Sequence, residues 1–302
     1  MRRRGDLAAD FARRHRVPRW TTDADDIIGA DDIDAVYVAS HPATHCEYVL
    51  RCADAGKPVL VEKPMGLDHV ECSEMTTACE RAGVPLWVAY YRRALPRFLA
   101  VKEMIAEGAI GTVRGVQVRR HEPLPPGGVE QQPWQVAHPE LSRGGVFFDG
   151  VCHVFDFLDF LFGPVADAHG EVSNQAGAYS VEDTVAATFR FESGLVGSGF
   201  WCFASDDVRY DRATVFGSRG RLSFSTQFPE PVLLHAGNHT REIAVGDPPF
   251  VHQPLIQAIV DELHGDGSCA STGVSGTRTA WVMDQIMGPP ASPGSTSQPR
   301  TS

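Results

Sequence analysis

Residues 55–65 read Ala-Gly-Lys-Pro-Val-Leu-Val-Glu-Lys-Pro-Met, and this stretch decides the fold. Pro58–Val61 is a short, continuous apolar run. Gly56 stands before it, where a helix should stop, and the charged pair Glu62-Lys63 follows at once. A run without polar alternation has no solvent face, so it belongs to a strand covered on both sides. Working outward, helices are expected at about 43–55 and 68–82, the second closed by Gly83. Similar apolar strands are expected at Ala35–Ala39 (AVYVA) and Leu86–Tyr90 (LWVAY), with a further helix at about 6–15. Strands alternating with helices predict a parallel, doubly wound sheet, an architecture that binds ligands beyond the carboxyl ends of its strands.

After a helix expected at about 95–107 the rhythm changes. Strand-like stretches follow at 112–121, 165–174, 183–202 and 212–225, the third broken by the turn Glu192-Ser193-Gly194. This predicts a mostly antiparallel sheet with a strongly apolar helix at about 145–162 laid against it. Two helices, at about 253–264 and 274–287, close the fold. The last residues, GPPASPGSTSQPRTS from Gly288, are rich in Pro, Ser and Gly and read as a disordered tail. The fold class expected is therefore α/β plus α+β.

The totals narrow the function. The chain has 302 residues, 43% of them hydrophobic, enough for one large domain or two ordinary ones. A formal charge of −11 argues against nucleic acid, which needs a basic surface. Seven cysteines without a C-x-x-C pair point to reduced thiols in a cytoplasm, with neither a disulfide framework nor a zinc site. No apolar stretch approaches the roughly 20 residues that span a bilayer, and no signal peptide is read at the N-terminus.

Two segments carry chemistry. Glu62, Lys63 and Pro64 stand at the end of a buried strand, where a partly desolvated lysine can hydrogen-bond a substrate hydroxyl or exchange its proton. Spacing alone leaves a strand-end ion pair equally open. In Gly144-Gly-Val-Phe-Phe-Asp149-Gly-Val-Cys-His153, the carboxylate and the imidazole are four residues apart on one helix face. A carboxylate beside an imidazole fixes its tautomer and suits a base near neutral pH, although a satisfied network at the helix start would use the same residues. No metal is expected. Pro42 disturbs helix geometry between His41 and His45, and Asp156 and Asp159 lie roughly 300° and 240° round the helix from His153, away from Asp149.

These segments together resemble the Gfo/Idh/MocA oxidoreductases over about residues 2–287. The marks are Asp34-Ala-Val-Tyr-Val-Ala with Pro42-x-x-His45, Ala55 to Pro64, Glu107-Gly-x-Ile-Gly-x-Val113, and the Gly-Gly-x-x-x-Asp-x-x-x-His helix. The resemblance implies a dinucleotide-binding domain over 1–93, a domain for substrate binding and oligomerisation over 94–288, and a tail over 289–302. It implies NAD or NADP as hydride carrier, a sugar, polyol, inositol or related compound as substrate, and a homodimer or homotetramer. By position, Lys63 matches the lysine contacting the nicotinamide ribose and substrate, Asp149 the substrate-orienting carboxylate, and His153 the acid/base. Pro42, His45, Glu62 and Pro64 match positions near the nicotinamide, and Tyr91-Arg92-Arg93 and Trp134 lie in segments bordering the cleft.

One departure stands out. The family begins with a strand and a glycine-rich loop that holds the pyrophosphate at a helix N-terminus, and neither is found in these residues. The first helix here matches the one that follows the family's second strand, which places Arg2–Arg4 where the adenosine ribose is read. An arginine there, Arg3, tilts the expectation from NAD toward NADP, while a solvated basic N-terminus explains the same residues. The missing strand is central in the family's sheet, so its absence should leave an open edge. The expectation is that the native chain starts upstream of Met1. A truncated, non-catalytic relative acting as a ligand-binding or oligomerising subunit is the alternative to an enzyme.

Overall fold

The computed structural model describes residues 1–124, 134–205 and 209–288, so the expected tail lies outside the described residues. In chain order the helices are α1 (Gly5–His15), α2 (Asp25–Ile28), α3 (His45–Asp54), α4 (His69–Ala82), α5 (Pro96–Ala106), α6 (Trp134–Ala137), α7 (Pro139–Ser142), α8 (Val146–Phe162), α9 (Gln253–His264) and α10 (Gly273–Met287). The strands are β1 (Val36–Val38), β2 (Val59–Val61), β3 (Leu86–Val88), β4 (Val113–Pro123), β5 (Val165–Ser173), β6 (Thr184–Phe191), β7 (Val196–Ser205), β8 (Tyr210–Gly217), β9 (Arg221–Phe224), β10 (Val232–Ala236) and β11 (His239–Ile243). Strands β1–β2–β3 form a parallel sheet. The other eight run in the order 11-10-9-8-4-7-6-5, antiparallel except for the β4–β7 pair. Both parts of the expected α/β plus α+β class are present.

The small sheet is covered on both faces, as its unbroken apolar strands require. Val59 and Val61 of β2 pack in one core with Val49 and Cys52 of α3 and Met75 and Cys79 of α4. Leu60 and Trp87 pack on the other side with Leu255 and Ile259 of α9. The Asp68 side chain accepts a hydrogen bond from Glu71 N and starts α4, and Gly83 ends it at φ 68°, where a residue with a Cβ would be strained. At one edge Ser271 and Thr272 join β3, with Val88 N donating to Ser271 O (3.2 Å) and Ser271 Oγ to Val88 O (2.7 Å). At the other edge β1 has no further neighbour among the described residues, and Tyr37 is exposed. The open edge expected from the absent first strand is present.

Helix α8 joins the two sheets. Its Phe147 and Phe155 rings lie 5.2 and 5.9 Å from Trp201 on the large sheet, and Phe157 sits 4.6 Å from Phe98 of α5. Each such fully buried aromatic contributes about 1.5–3 kcal/mol. Its register is locked by charge: Arg93 Nε donates to both Asp156 oxygens (2.9 Å), Arg93 Nη2 to Asp159 (2.9 Å), and Arg278 of α10 to Asp159 (2.7 and 2.8 Å). The Gly144-Gly145 pair lets residues 181–182 pass close by. A Cβ on Gly145 would meet Val181 Cγ2 at 2.8 Å, and Gly145 N donates to Glu182 Oε1 (2.8 Å).

Two expectations are corrected. The stretch 212–225, read as one strand, is the hairpin β8–β9, turning at Ser218–Gly220, where Gly220 lies too close to the His235 carbonyl for any side chain. Strands β10 and β11 are additional to the reading. They are half-buried or exposed along most of their length and so carry no alternation to detect.

Candidate active site

The carboxyl ends of the three parallel strands and the first turns of α8 meet at one place. The residues after β2 are Glu62, Lys63 and Pro64, the Lys63–Pro64 peptide bond being cis. Lys63 Nζ donates to Asp149 Oδ1 (2.9 Å) and to the Asp149 carbonyl (3.2 Å), and Gln135 Nε2 of α6 donates to Asp149 Oδ2 (2.8 Å). Both partners of this ion pair are largely buried. Burial works against the Lys63 charge, but the neighbouring Cys152 and Asp149 outweigh it and the ammonium titrates above its ordinary range. Cys152, pushed up to about 12 by burial, is a neutral thiol at ordinary pH, so Asp149 is the partner that matters there.

His153 lies one turn along α8, nearly buried, with its ring 5.0 Å from Tyr91 and 5.5 Å from Tyr90. Its Nδ1 finds no hydrogen-bond partner. The pairing expected with Asp149 is not formed, because the Asp149 oxygens are taken by the lysine and the glutamine. Burial, reinforced by the charges of Arg92 and Lys63, holds the His153 pKa well below its ordinary value, so the imidazole is neutral at physiological pH. Asp156 and Asp159 turn to Arg93 and Arg278, away from this pair. Among the described residues no three His, Cys, Asp or Glu side chains converge in the manner of a metal set.

The remaining expected residues frame the lysine. Glu62 accepts hydrogen bonds from Tyr37 OH (2.5 Å) and Lys63 N (3.0 Å), with His252 Nε2 3.7 Å away. His45, fully buried at the start of α3, has Nδ1 3.0 Å from Pro64 O and Nε2 3.1 Å from Ser40 O, tying the loop after β1 to the turn that carries Lys63. Pro42 is buried in a short 3-10 turn beside it, and the His41 and Trp134 rings are 5.0 Å apart. Arg3 stands apart, exposed and without an ion pair among the described residues. Gln135 and His252 belong to this site but were not singled out in the sequence. Each lies in or beside a short, irregular segment that carries no periodicity.

Residues 1–90 match the model of the "Oxidoreductase family, NAD-binding Rossmann fold", and residues 98–223 match the "GFO/IDH/MocA C-terminal domain". Oxidoreductase P35 of Formosa agariphila is 32% identical over 290 residues, covering 95% of this chain and 89% of that protein. The chain belongs to the Gfo/Idh/MocA oxidoreductase family. Another relative, 1,5-anhydro-D-fructose reductase of Ensifer adhaerens, is 29% identical over 90% of this chain and 81% of its own. Levoglucosan dehydrogenase, solved with NADH and levoglucosan, superposes with a TM-score of 0.83 at 23% identity, over 94% of this chain and 85% of that one. That likeness speaks for the fold.

As a family member the protein is an oxidoreductase that works with NAD or NADP. The residues described fit the nicotinamide end of such a group: Lys63 and Glu62 stand at the strand rim, and the buried Nδ1 of His153 lacks a partner. At the other end, no glycine-rich loop between a strand and a helix occurs ahead of β1 among the described residues.

Proposed function

We propose that the protein interconverts an alcohol and a ketone on a sugar, polyol or related compound, with Lys63, Asp149 and His153 as its catalytic residues. The observation that carries this reading is the Lys63–Asp149 ion pair at the rim of the parallel sheet, one helical turn from a neutral histidine. The names of the relatives, which act on an anhydrofructose or a myo-inositol, support the substrate class. The nicotinamide, when bound, accepts or delivers hydride at its C4. The division of labour follows from the charges. Lys63 stays protonated and donates a hydrogen bond to the substrate hydroxyl oxygen. Asp149, steadied by Gln135, aims the lysine. His153 takes the hydroxyl proton as the alcohol is oxidised and returns it in reduction. His45 holds the two loops in register, and Glu62, Pro42 and Pro64 shape the surface beside the nicotinamide.

We further infer NADP over NAD, with Arg3 meeting the 2′-phosphate, and a cytoplasmic homodimer or homotetramer assembled through the open face of the large sheet. Val196, Phe200 and Phe216 are exposed there, an apolar surface of the kind subunits cover. Following nicotinamide reduction across a panel of sugars and polyols tests the main reading. Turnover that is lost in His153→Gln and Lys63→Met supports it, and a chain that binds neither NADH nor NADPH at near-millimolar concentration defeats it. Arg3→Ala should raise KM for NADPH and leave KM for NADH alone, and equal effects on both would overturn the NADP assignment.

A further inference from the structure

The candidate site carries more positive charge than its own carboxylates answer. Arg92 follows Tyr91 in the turn after β3; the residue is 2% exposed and its guanidinium carbon lies 6.0 Å from the centre of the Phe98 ring. Its Nη1 has no hydrogen-bond partner, and among the described residues no carboxylate stands within ion-pair distance of it. Asp211 exerts a pull on Arg92, but its oxygens are occupied by Ser225 Oγ (2.6 Å), Thr226 Oγ1 (2.9 Å) and Gln227 N (2.8 Å). A second guanidinium, Arg120 on β4, gives Nε to Glu122 Oε1 (2.5 Å) and leaves Nη1 buried and unpartnered.

That free Nη1 points at the helix carrying the catalytic residues. A Cβ on Gly150 would lie 3.3 Å from it, one residue from Asp149 and three from His153. Glycine keeps the gap between guanidinium and helix clear. Both arginines are also close enough to His153 to push its pKa down. A buried, unpaired guanidinium is costly unless something answers it, and a neutral polyol offers no charge.

We propose that Arg92 and Arg120 form an anion subsite beside Asp149 and His153, and that the substrate is a carboxylate-bearing sugar, an aldonic or uronic acid. This rests on the proposed alcohol–ketone chemistry of the same site and names its substrate class. A planar carboxylate presents two oxygens to the two free N–H groups while its neighbouring hydroxyls reach Lys63 and His153.

The test is calorimetric titration of the full chain, with NADP+ or NAD+ present, using matched pairs: D-gluconate against D-glucitol, and D-glucuronate against D-glucose. The acids should bind about tenfold more tightly or better, as expected for a charge-assisted contact. Arg92→Met and Arg120→Gln should bring acid and alcohol together. Because Arg92 is unpaired, Arg92→Met should unfold no earlier than the parent, whereas a structural arginine would lower Tm. Equal binding of acid and alcohol, no binding of either acid, an acid preference that survives both substitutions, or tighter binding of D-glucose 6-phosphate would each overturn the proposal. Turnover is read separately: a tightly bound acid that is never oxidised would sink the dehydrogenase reading and leave the subsite standing.

Discussion

Replacing Lys63 by methionine keeps the unbranched stem of the side chain out to Cε and removes the ammonium with its charge. In the structure the ammonium makes two contacts, 2.9 Å to Asp149 Oδ1 and 3.2 Å to the Asp149 carbonyl, and the two side chains are 20% and 17% exposed, so solvent screens the pair little. A hydrogen bond to a charged group contributes about 1.5–3 kcal/mol. On the proposed role of Lys63, the substitution removes one such bond to the reacting oxygen, and it also frees Asp149, which then leans on Gln135 alone. Together these amount to about 3–4 kcal/mol of transition-state stabilisation, or roughly 10²–10³-fold in kcat/KM. Initial rates of nicotinamide reduction give that ratio, and circular dichroism shows whether the variant folds. The double variant with Asp149→Asn should fall short of the sum of the two single losses by about 1.5–3 kcal/mol, since the two residues act as one unit. A Lys63→Met enzyme within about threefold of the parent, or a strictly additive double variant, would refute the reasoning.

His153 makes stability depend on pH in a stated direction. Its folded pKa lies below the ordinary 6.5, so the unfolded chain binds the extra proton first, and stability that is complete above 6.5 should drain away as pH falls below it. His153→Gln should flatten that limb of the Tm–pH curve, and an unchanged slope would contradict the assignment. As general base, the same residue should place the acid limb of kcat/KM below pH 6.5, measurable from rates between pH 5 and 8. Asp159→Asn takes the carboxylate from Arg278 and leaves Arg93 with Asp156 alone, so it should cost about 1.5–3 kcal/mol by urea unfolding. If the proposed dimer or tetramer forms through this face, Phe200→Glu with Phe216→Glu should give monomers in light scattering while changing the unfolding free energy of the isolated subunit by no more than about 0.5 kcal/mol, as for exposed positions.

The small sheet was legible because burial on both faces writes itself into the sequence. Val59, Leu60 and Val61 have no polar neighbour to alternate with, and Gly56 and Gly83, at φ 68° each, punctuate the helices that cover them. Strands β10 and β11, the last two at one end of the large sheet, were not legible for the converse reason. His239–Glu242 is wholly exposed, so nothing in its composition separates it from a loop, although Gly237 at φ 57° marks the turn between the two strands. The return of Ser271 and Thr272 to the edge of β3 depends on chain brought back across the whole second sheet, which no local pattern encodes.

The candidate site divides along the same line. Helical spacing placed Asp149 and His153 on one face, which is a local property. It could not say what else would reach that face. Lys63 arrives from 86 residues away and is held in reach by His45 and the Arg93–Asp156 lock, so the carboxylate answers the ammonium and the imidazole is left with a free nitrogen. That exchange of partners changes the chemistry assigned to each group. An Asp149–His153 couple would have raised the basicity of the imidazole. With the carboxylate committed elsewhere, and with Arg92, Lys63 and Arg120 adding positive charge round a buried ring, His153 is the weaker base, neutral at rest at physiological pH. In the mechanism we propose, it takes the hydroxyl proton because Lys63 donates a hydrogen bond to the same oxygen and stabilises the alkoxide as it forms, so the base does not have to be strong.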